Sequence, residues 1–430
     1  MGSDGGVRTS SPMQSATTTA SPAGGARWVQ LAIGLVCMMA ISSPQYVWTL
    51  FTKPMSAKLG VTLAELQVTF SILIVLQTFL SPVQGLLVDK FGPKRLLSAG
   101  AVLTGSSWVF AAGVRDLAGL YLTYGLLGGL GTGIVYIGVI GLMVKWFPDK
   151  RGLATGLVAA GYGMGAMLTT FPISISLAAS GYERTLVIYG LLLSVIGLVA
   201  ALGLRRPPEM PEPARTTAAV SVRNVSPRRL LRSPIFWLMF GMMTMMSTSG
   251  LMVISQMAAF ARDFGVAQMT VLGFAALPLA LTLDRLTNGL TRPFFGWLSD
   301  RIGREHTMFI AFTLEGIAMT AWLLTRDNAV LFVLLSGLVF FGWGEIFSLF
   351  PSTLTDTFGA RHATTNYGFL YMAQGVGSIL GGPLAALLYQ RTGTWGTVFA
   401  VVIAMNFATA VLALAVLKPA RTRYLSLPAS

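Results

Sequence analysis

Twelve apolar segments, most of them long enough to cross a bilayer, constrain this chain more than any other feature. A helix needs about 20 predominantly apolar residues to cross roughly 30 Å of hydrocarbon. Because lipid offers no hydrogen bonds to an open backbone, such segments are stable there only as helices or closed barrels. The sequence therefore predicts an all-α membrane protein. We number the predicted spans one to twelve, and they cover residues 28–51, 67–88, 96–113, 118–146, 152–174, 186–204, 236–260, 268–298, 307–325, 329–352, 366–389 and 395–417.

The longest polar stretch separates spans six and seven and divides the chain in two. Residues 205–235 are rich in Pro and Arg, a composition typical of a linker. This division predicts two six-helix halves, residues 27–204 and residues 236–418. Residues 1–26 consist mainly of Gly, Ser, Thr and Ala and are predicted to be a disordered tail. Residues 419–430 are predicted to be a cytoplasmic tail.

Basic residues give the chain a formal net charge of +14, which in a soluble protein would indicate nucleic-acid binding. Only 11% of the residues are charged, against about 25% in an average soluble protein. With the N-terminus inside, 21 of the 30 Lys and Arg residues fall in inside segments and 7 in outside loops. Cytoplasmic loops carry such an excess. We therefore expect a multi-pass plasma-membrane protein, typical of a bacterial inner membrane, with both termini cytoplasmic and no nucleic-acid partner.

Catalytic and metal-binding residues are scarce in this sequence. Cys37 is the single cysteine, and the two histidines, His306 and His362, lie beside charged, loop-like residues. This excludes a disulfide framework and a cysteine zinc site, and it leaves little for a histidine site. The sequence contains no Gly-x-Ser-x-Gly elbow and no phosphate-binding Gly-x-x-x-x-Gly-Lys-[Ser/Thr] loop. We expect neither an enzyme nor an ATP-driven pump, and no metal or cofactor.

One pattern, Gly-x-x-x-Asp-[Lys/Arg]-x-Gly, occurs once in each half, and its two copies lie 211 residues apart. The copies follow span two and span eight. A carboxylate near a helix end can hold neighbouring helix ends together in one conformation and release them in another, so we interpret both copies as a conformational latch. The alternative is a tight turn that carries inside-positive charges. The residues of the two copies are Gly85, Asp89, Lys90 and Gly92, and Gly296, Asp300, Arg301 and Gly303.

Ionisable side chains inside the predicted spans are costly to bury and therefore indicate function. Arg285 and Arg292 in span eight lie two helical turns apart, on one face, where a guanidinium fork can bind a carboxylate. The alternatives are that Asp284 or Arg285 forms a structural pair with a neighbouring helix, and that Arg292 lies near the cytoplasmic end. Asp284 and Glu345 are candidates for carrying a proton or forming an ion pair. Glu315 is predicted to be structural or peripheral.

The two six-span halves and the duplicated pattern resemble the major facilitator superfamily. Five more specific stretches, spread over both halves, are similar to the oxalate/formate antiporter family. They are Gln45-Tyr46-Val47-Trp48, Trp146-Phe147-Pro148-Asp149-Lys150-Arg151-Gly152, Asn288-Gly289, Arg292-Pro293-Phe294-Phe295-Gly296 and Asn366-Tyr367-Gly368. The resemblance implies a bundle of twelve transmembrane helices in two six-helix halves. In this bundle type, spans one, four, seven and ten line a central cavity, together with spans five, eight and eleven.

The resemblance also implies the residues of a substrate site. In that family, substrate carboxylates meet an arginine in span eight, a lysine in span eleven and a cage of aromatic side chains. Arg292 matches the arginine, Gln374 stands where the lysine would fall, and Arg285 is a further candidate contact. The positions that match the cage and its polar contact are Gln45, Tyr46, Tyr136, Tyr162, Trp343 and Tyr371.

The sequence therefore predicts a secondary transporter of a small organic anion, active as a monomer in the lipid bilayer. The specific prediction is oxalate:formate exchange by alternating access, in which one half rocks against the other around a midplane site. Because Gln374 replaces the family's lysine, a proton-coupled monocarboxylate transporter is the alternative. A membrane sensor that binds the solute without moving it is a further alternative.

Overall fold

The computed structural model of the protein describes residues 24–208 and 224–427. The predicted N-terminal tail lies outside the described residues except for its last three positions, which are helical because the first helix begins at Gly24. Residues 209–223 of the predicted linker and the last three residues of the chain also lie outside.

The first half is built of helices with short connections. Spans one to four comprise Gly24–Ala40, Ser43–Tyr46 and Trp48–Leu59; Leu63–Phe79 and Ser81–Phe91; Pro93–Ala112; and Leu117–Leu120, the π-helical segment Tyr121–Leu127 and Gly128–Trp146. Spans five and six form one helical run, Arg151–Gly203, which Gly181 divides. At φ 75° and ψ 170° the backbone of Gly181 is not helical, a conformation open to glycine because it has no Cβ.

The second half repeats this plan. After the short linker helix Pro227–Leu230, spans seven to twelve comprise Pro234–Asp263; Ala276–Ile302; Arg304–Leu324; Ala329–Trp343 and Ile346–Phe358; Ala363–Ile379, the π-helical segment Leu380–Leu384 and Ala385–Thr392; and Trp395–Leu412 with the π-helical segment Ala413–Leu417. A last helix, Lys418–Ser426, continues from span twelve. The prediction of an all-α membrane protein with the major facilitator fold is confirmed.

Eight described helices are long and apolar enough to cross a membrane, and the helix pair of span two, bent by 52°, brings the number to nine. The run Arg151–Gly203 contains two crossings, because it is divided at Gly181. The other two crossings are less apolar. Pro93–Ala112 is rich in Gly, Ser and Thr, and Ala276–Ile302 carries charged side chains along its length. The described chain therefore crosses the membrane twelve times.

Span eight begins later than the sequence predicts. Residues 270–275 form a small antiparallel hairpin, in which strand β1 (Thr270–Val271) pairs with strand β2 (Phe274–Ala275), and the helix starts at Ala276. Leu272 and Gly273 make the turn with positive φ values of 52° and 83°. The apolar composition of this segment predicted a helix, but a turn with positive φ is incompatible with one.

The described ends of the linker lie against the end of the bundle that carries Asp89. Arg206 Nη2 donates to the backbone oxygen of Asp89 at 3.1 Å. On the far side of the linker, the amide of Val225 donates to the oxygen of Phe358 at 2.8 Å, and Asn366 Nδ2 donates to the oxygen of Val225 at 3.1 Å. Both ends of the linker are therefore anchored at the same end of the bundle.

Candidate functional site

A cavity of about 610 Å³ lies between the two halves. Its walls are formed by spans one, two, four and five on one side and by spans seven, eight, ten and eleven on the other. The volume falls within the roughly 300–1,000 Å³ typical of small-molecule sites. All nine side chains predicted from the sequence as substrate contacts line it: Gln45, Tyr46, Tyr136, Tyr162, Arg285, Arg292, Trp343, Tyr371 and Gln374.

Arg292 presents a buried positive charge to this cavity. Its side chain is only 2% exposed. Nη1 donates to the backbone oxygen of Ala159 in the other half at 2.6 Å, while Nε and Nη2 donate to Asn288 Oδ1 at 3.3 and 3.1 Å. The guanidinium carbon lies 4.5 Å from the centre of the Phe347 ring. In the part of the chain that the structure describes, no carboxylate forms an ion pair with Arg292.

A continuous series of aromatic rings crosses the cavity from one half to the other. Tyr162 packs against Tyr46 at 5.5 Å and against Tyr136 at 5.1 Å between ring centres. Tyr136 stacks on Tyr371 of the second half at 4.9 Å, with 26° between the planes. Tyr371 in turn lies 6.5 Å from Phe347, the ring under Arg292. Aromatic packing thus connects the first half directly to the arginine of the second.

The hydroxyls of two of these tyrosines, Tyr162 and Tyr371, are held by glutamine amides. Tyr162 Oη donates to Gln45 Oε1 at 2.5 Å. Gln77 Nε2 donates to Tyr162 Oη at 3.3 Å and to Tyr371 Oη at 3.5 Å, so one amide bridges the two halves. The sequence prediction missed Gln77. The sequence did contain a signal for Gln77. A polar amide in the middle of span two is costly to bury, as are the ionisable side chains that the sequence analysis named.

Trp343 forms part of the opposite wall. Its indole Nε1 donates to the backbone oxygen of Met246 in span seven at 2.8 Å, and its ring meets Phe347 edge-on at 5.6 Å. A Cβ atom on Gly250 would lie only 2.1 Å from the indole. The glycine therefore makes room for the ring, and the tryptophan is fixed in place by span seven.

The remaining predicted contacts lie in less enclosed parts of the cavity. Arg285 is exposed, while the neighbouring Asp284 is 5% exposed. Neither side chain forms an ion pair with another described residue. Gln374 Oε1 accepts no hydrogen bond from the described residues. An amide with a free oxygen can turn its NH₂ group towards an anion.

Glu345 and Glu315 lie behind the cavity wall and do not line it. Both side chains are fully buried. Glu345 forms no ion pair with a described residue, and Glu315 accepts a hydrogen bond from Ser249 Oγ at 2.6 Å. Of the two alternatives for Glu315, structural or peripheral, its burial and this bond favour the structural one. Within residues 24–208 and 224–427, no group of three or more His, Cys, Asp or Glu side chains could hold a metal ion.

The duplicated pattern places one aspartate of each half on the backbone amides of the other half. Asp300 accepts from the amides of Gly152 and Leu153 at 3.0 and 2.9 Å, at the start of span five. Asp89 accepts from the amide and hydroxyl of Thr365 at 3.0 and 2.7 Å, at the start of span eleven. A carboxylate at a helix N-terminus is favourable because the free amides and the helix dipole carry positive charge there. We call the end of the bundle with these contacts the latch end.

Glycines allow the same close approach in both copies. A Cβ atom on Gly296 would lie 2.1 Å from the Gly152 oxygen, and one on Gly85 would lie 2.6 Å from the Thr364 oxygen. Gly92 and Gly303 end their helices with φ values of 94° and 95°, which disfavour any side chain. The two copies therefore have matching geometry.

The basic residues of the pattern do not take part in these contacts. Lys90 and Arg301 are exposed, and Arg301 packs on Trp297 of its own helix. The cations that do join the network lie outside the pattern. Lys145 pairs with Asp89 at 2.8 Å, and Arg304 pairs with Asp300 at 2.6 Å. These pairs were not predicted from the sequence, because they depend on how the helix ends meet.

Asp356 at the end of span ten completes the network. It pairs with Arg151 of the first half at 2.5 Å and with Arg304 at 2.8 Å. The latch end is thus closed by ion pairs, helix caps and glycine contacts. At the other end, cavity-lining side chains such as Gln67, Ile254 and Leu281 are exposed. A central cavity between two six-helix halves, closed at one end by polar contacts, is the arrangement expected of a membrane transporter.

Known proteins share this architecture. The sequence model of the Major Facilitator Superfamily matches residues 31–283 and 241–429. The oxalate:formate antiporter of Oxalobacter formigenes is 33% identical over 390 residues, which cover 90% of this chain and 91% of the relative. Monocarboxylate transporter 13 of Bos taurus is 26% identical over 335 residues, which cover 77% of this chain and 75% of the relative. The proton:xylose symporter XylE, bound to 6-bromo-6-deoxy-D-glucose, superposes with a TM-score of 0.67 at 12% identity, over 91% of this chain and 96% of that one.

The chain belongs to the oxalate/formate antiporter family of the major facilitator superfamily. It is a multi-pass membrane transporter and not an enzyme. The likeness to the xylose symporter concerns the fold alone.

Proposed function

We propose that the protein transports small carboxylates, specifically by exchanging oxalate for formate, and that the central cavity is its substrate site. A small organic anion is the expected substrate because the cavity wall carries a buried guanidinium with no carboxylate partner. An isolated buried charge is costly, so Arg292 gains most from an anion that enters with its own negative charge. This single feature carries the proposal, and the 33% identity to an oxalate:formate antiporter supports it.

The aromatic series supplies the other contacts that a small planar anion needs. Ring edges carry partial positive charge, and hydroxyls and amides can donate to carboxylate oxygens. Tyr136, Tyr162 and Tyr371 are almost fully buried, so these donors act in a poorly solvated environment where electrostatic contacts are stronger. At about 30 Å³ per water molecule, 610 Å³ is far more than oxalate requires. The walls must therefore close in around the substrate during the cycle.

The latch end is proposed to face the cytoplasm. The excess of Lys and Arg in the predicted inside segments supports this orientation, as does the position of the linker ends beside Asp89. In this orientation the structure is closed on the inside. Opening to the cytoplasm requires the carboxylates of Asp89 and Asp300 to leave the amides of the other half. When these contacts form again, the cytoplasmic side closes and the cycle is complete.

A second candidate is the proton-coupled transport of monocarboxylates. Oxalate carries two negative charges, and Arg292 neutralises one. Gln374 adds an amide but no charge, and Arg285 is exposed and therefore screened by water. A monoanion needs no second cation, and the relative from Bos taurus is a monocarboxylate transporter.

Counterflow in proteoliposomes separates the two candidates. Vesicles that contain the purified protein are preloaded with oxalate, formate, lactate or buffer, and uptake of labelled oxalate or lactate is followed with and without a pH gradient. Exchange predicts rapid oxalate uptake only into vesicles loaded with oxalate or formate. Lactate uptake that is driven by an inward proton gradient would favour the monocarboxylate candidate.

The matched control replaces an arginine away from the cavity. Arg115 is exposed near the start of span four, so Arg115→Gln should exchange like the unchanged protein while Arg292→Gln should not. If both variants exchange normally, the substrate site lies elsewhere. If the unchanged protein binds a carboxylate but never moves it across the membrane, the sensor alternative replaces transport.

A further inference from the structure

Glu345 and Glu315 form a buried acidic pair behind the wall that carries Arg292. Both are 0% exposed. Neither carboxyl oxygen of Glu345 accepts a hydrogen bond from the described residues, and Glu315 Oε2 accepts none either. Ser249 Oγ donates to the other oxygen of Glu315 at 2.6 Å. Transport as proposed above gives neither carboxyl group a role.

A break in span ten connects this pair to the substrate site. Gly344 and Glu345 separate the helices Ala329–Trp343 and Ile346–Phe358. A Cβ atom on Gly344 would lie 2.6 Å from Asn288 Oδ1, the atom that accepts from Arg292. Glu345 is therefore one residue away from the backbone position that touches the partner of the arginine.

The same stretch of span ten touches the second acid. A Cβ atom on Gly342 would lie 2.8 Å from the Cβ atom of Glu315. Span ten thus contacts Glu315 at Gly342 and the Asn288–Arg292 pair only two residues later, at Gly344. Movement of the break would change the surroundings of the acids and of the arginine together.

The charged groups that act on Glu345 are Glu315 and Arg292. Glu315 in turn faces the uncharged side chains of Ser249 from span seven and Asn406 from span twelve. The carboxylate of Asp284 in span eight faces span ten at Ser336, nine residues before Glu345. Two neighbouring ionised carboxylates without donors would be very costly to bury. The environment therefore favours at least one bound proton.

We propose that Glu345 and Glu315 form a proton-binding site that is coupled to anion binding through Arg292. The coupling rests on the proposed function, because that function supplies the anion. The proton site itself does not depend on it. With a proton on the pair, the charge of Arg292 is available to a carboxylate in the cavity. When the proton leaves a carboxyl oxygen for water, the new negative charge offsets Arg292, and the anion binds more weakly. Anion binding and proton uptake thus favour each other.

Infrared spectroscopy of the purified protein tests the proton without any substrate. We expect a carbonyl band of a protonated carboxyl group at neutral pH that is lost or halved in Glu345→Gln and in Glu315→Gln. Asp327→Asn removes an exposed carboxylate and is the matched control, which should leave the band unchanged. Absence of the band from the unchanged protein, or an undiminished band in both glutamine variants, would overturn the proton site.

Binding measurements test the coupling. Oxalate and lactate are titrated into the protein between pH 6 and pH 9, with the fluorescence of the tryptophans as the readout. If one proton is taken up per anion, the dissociation constant rises by up to roughly tenfold per pH unit once the pair has lost its proton. In Glu345→Gln the constant should change by less than about twofold over the same range.

The outcomes of this experiment separate the two proposals. A dissociation constant that does not change with pH in the unchanged protein would overturn the coupling. If the protein binds neither oxalate nor lactate, the proposed function fails, and the infrared result alone decides whether the proton site exists. Glu315→Gln provides a second neutral variant in case Glu345→Gln does not fold.

Discussion

The two walls of the cavity differ in chemistry. The wall from the first half consists of tyrosines, amides and apolar side chains, and it contains no charged residue. The wall from the second half carries Asp284, Arg285 and Arg292, with Glu315 and Glu345 buried behind it. The halves share one fold and one latch pattern, yet the charged side chains of the cavity wall among the described residues all lie in the second half. We propose that the second half determines which charge binds, while the first half determines shape and hydrogen bonding.

The largest effect is expected from removing the charge of the second wall. A unit-charge pair at 4 Å is worth about 4 kcal/mol at an effective dielectric constant near 20, so Arg292→Gln should lower oxalate exchange by roughly a thousandfold. Arg292→Lys keeps the charge but loses the planar fork that Asn288, Ala159 and Phe347 hold in place, and it should also be severely impaired. Initial rates of counterflow, normalised to the amount of reconstituted protein, measure both. Near-normal exchange by Arg292→Gln would mean that the charge of the second wall does not set the binding of the anion.

Adding a charge to the second wall should have the next largest effect. Gln374→Lys places a second cation in the cavity, where a charge 6 Å from the anion is worth about 2–3 kcal/mol at the same dielectric constant. The preference for oxalate over formate should rise roughly 10- to 100-fold in competition assays. Gln374→Met, of similar length and without charge, is the matched control. An unchanged preference in the lysine variant would mean that position 374 does not contact the substrate.

At the latch end, in contrast to the cavity, equivalent substitutions in the two halves should have equal effects. Hydrogen bonds to a charged group contribute about 1.5–3 kcal/mol, so Asp89→Asn and Asp300→Asn should each shift the population towards opening at the latch end by roughly tenfold or more. Distances between spin labels at the exposed positions of Lys150 and Arg361, in a Cys37→Ser background, report this opening. A shift in one variant alone would show that the pattern acts in one half only.

The fold could be predicted from the sequence because hydropathy and the duplicated pattern are local signals. Arg292 could be predicted for the same reason, since a charge inside an apolar span is visible without any structure. The contacts of Asp89 and Asp300 could not, because their partners are backbone amides 276 and 148 residues away, respectively. The sequence also left open whether Glu315 is structural or peripheral, because burial inside the second half depends on how spans seven, nine and ten pack.

A smaller effect is expected from the uncharged wall. Tyr162 Oη donates to Gln45 and accepts from Gln77, and each hydrogen bond contributes about 0.5–1.5 kcal/mol net. Tyr162→Phe removes both bonds and keeps the ring. Because neither bond is made to the substrate itself, binding should lose at most the equivalent of one bond, roughly 2- to 10-fold, for oxalate and formate alike. Equilibrium binding of both anions measures this. A selective loss of one of them would show that the first half also discriminates by charge.

The smallest effect is expected from Arg285, and it should depend on salt. The side chain is exposed, and exposed charge pairs are worth only about 0.2–1 kcal/mol, so Arg285→Gln should weaken oxalate binding by no more than about fivefold. A dianion interacts with this charge twice as strongly as a monoanion, so formate binding should change less. Because salt screens exposed charges beyond about 10 Å at 0.1 M, the difference between the variant and the unchanged protein should shrink as the ionic strength rises, while the effect of Arg292→Gln persists. A large loss that is insensitive to salt would instead mean that Arg285 becomes buried against the substrate when the cavity closes, and the second wall would then hold two cations for a dianion.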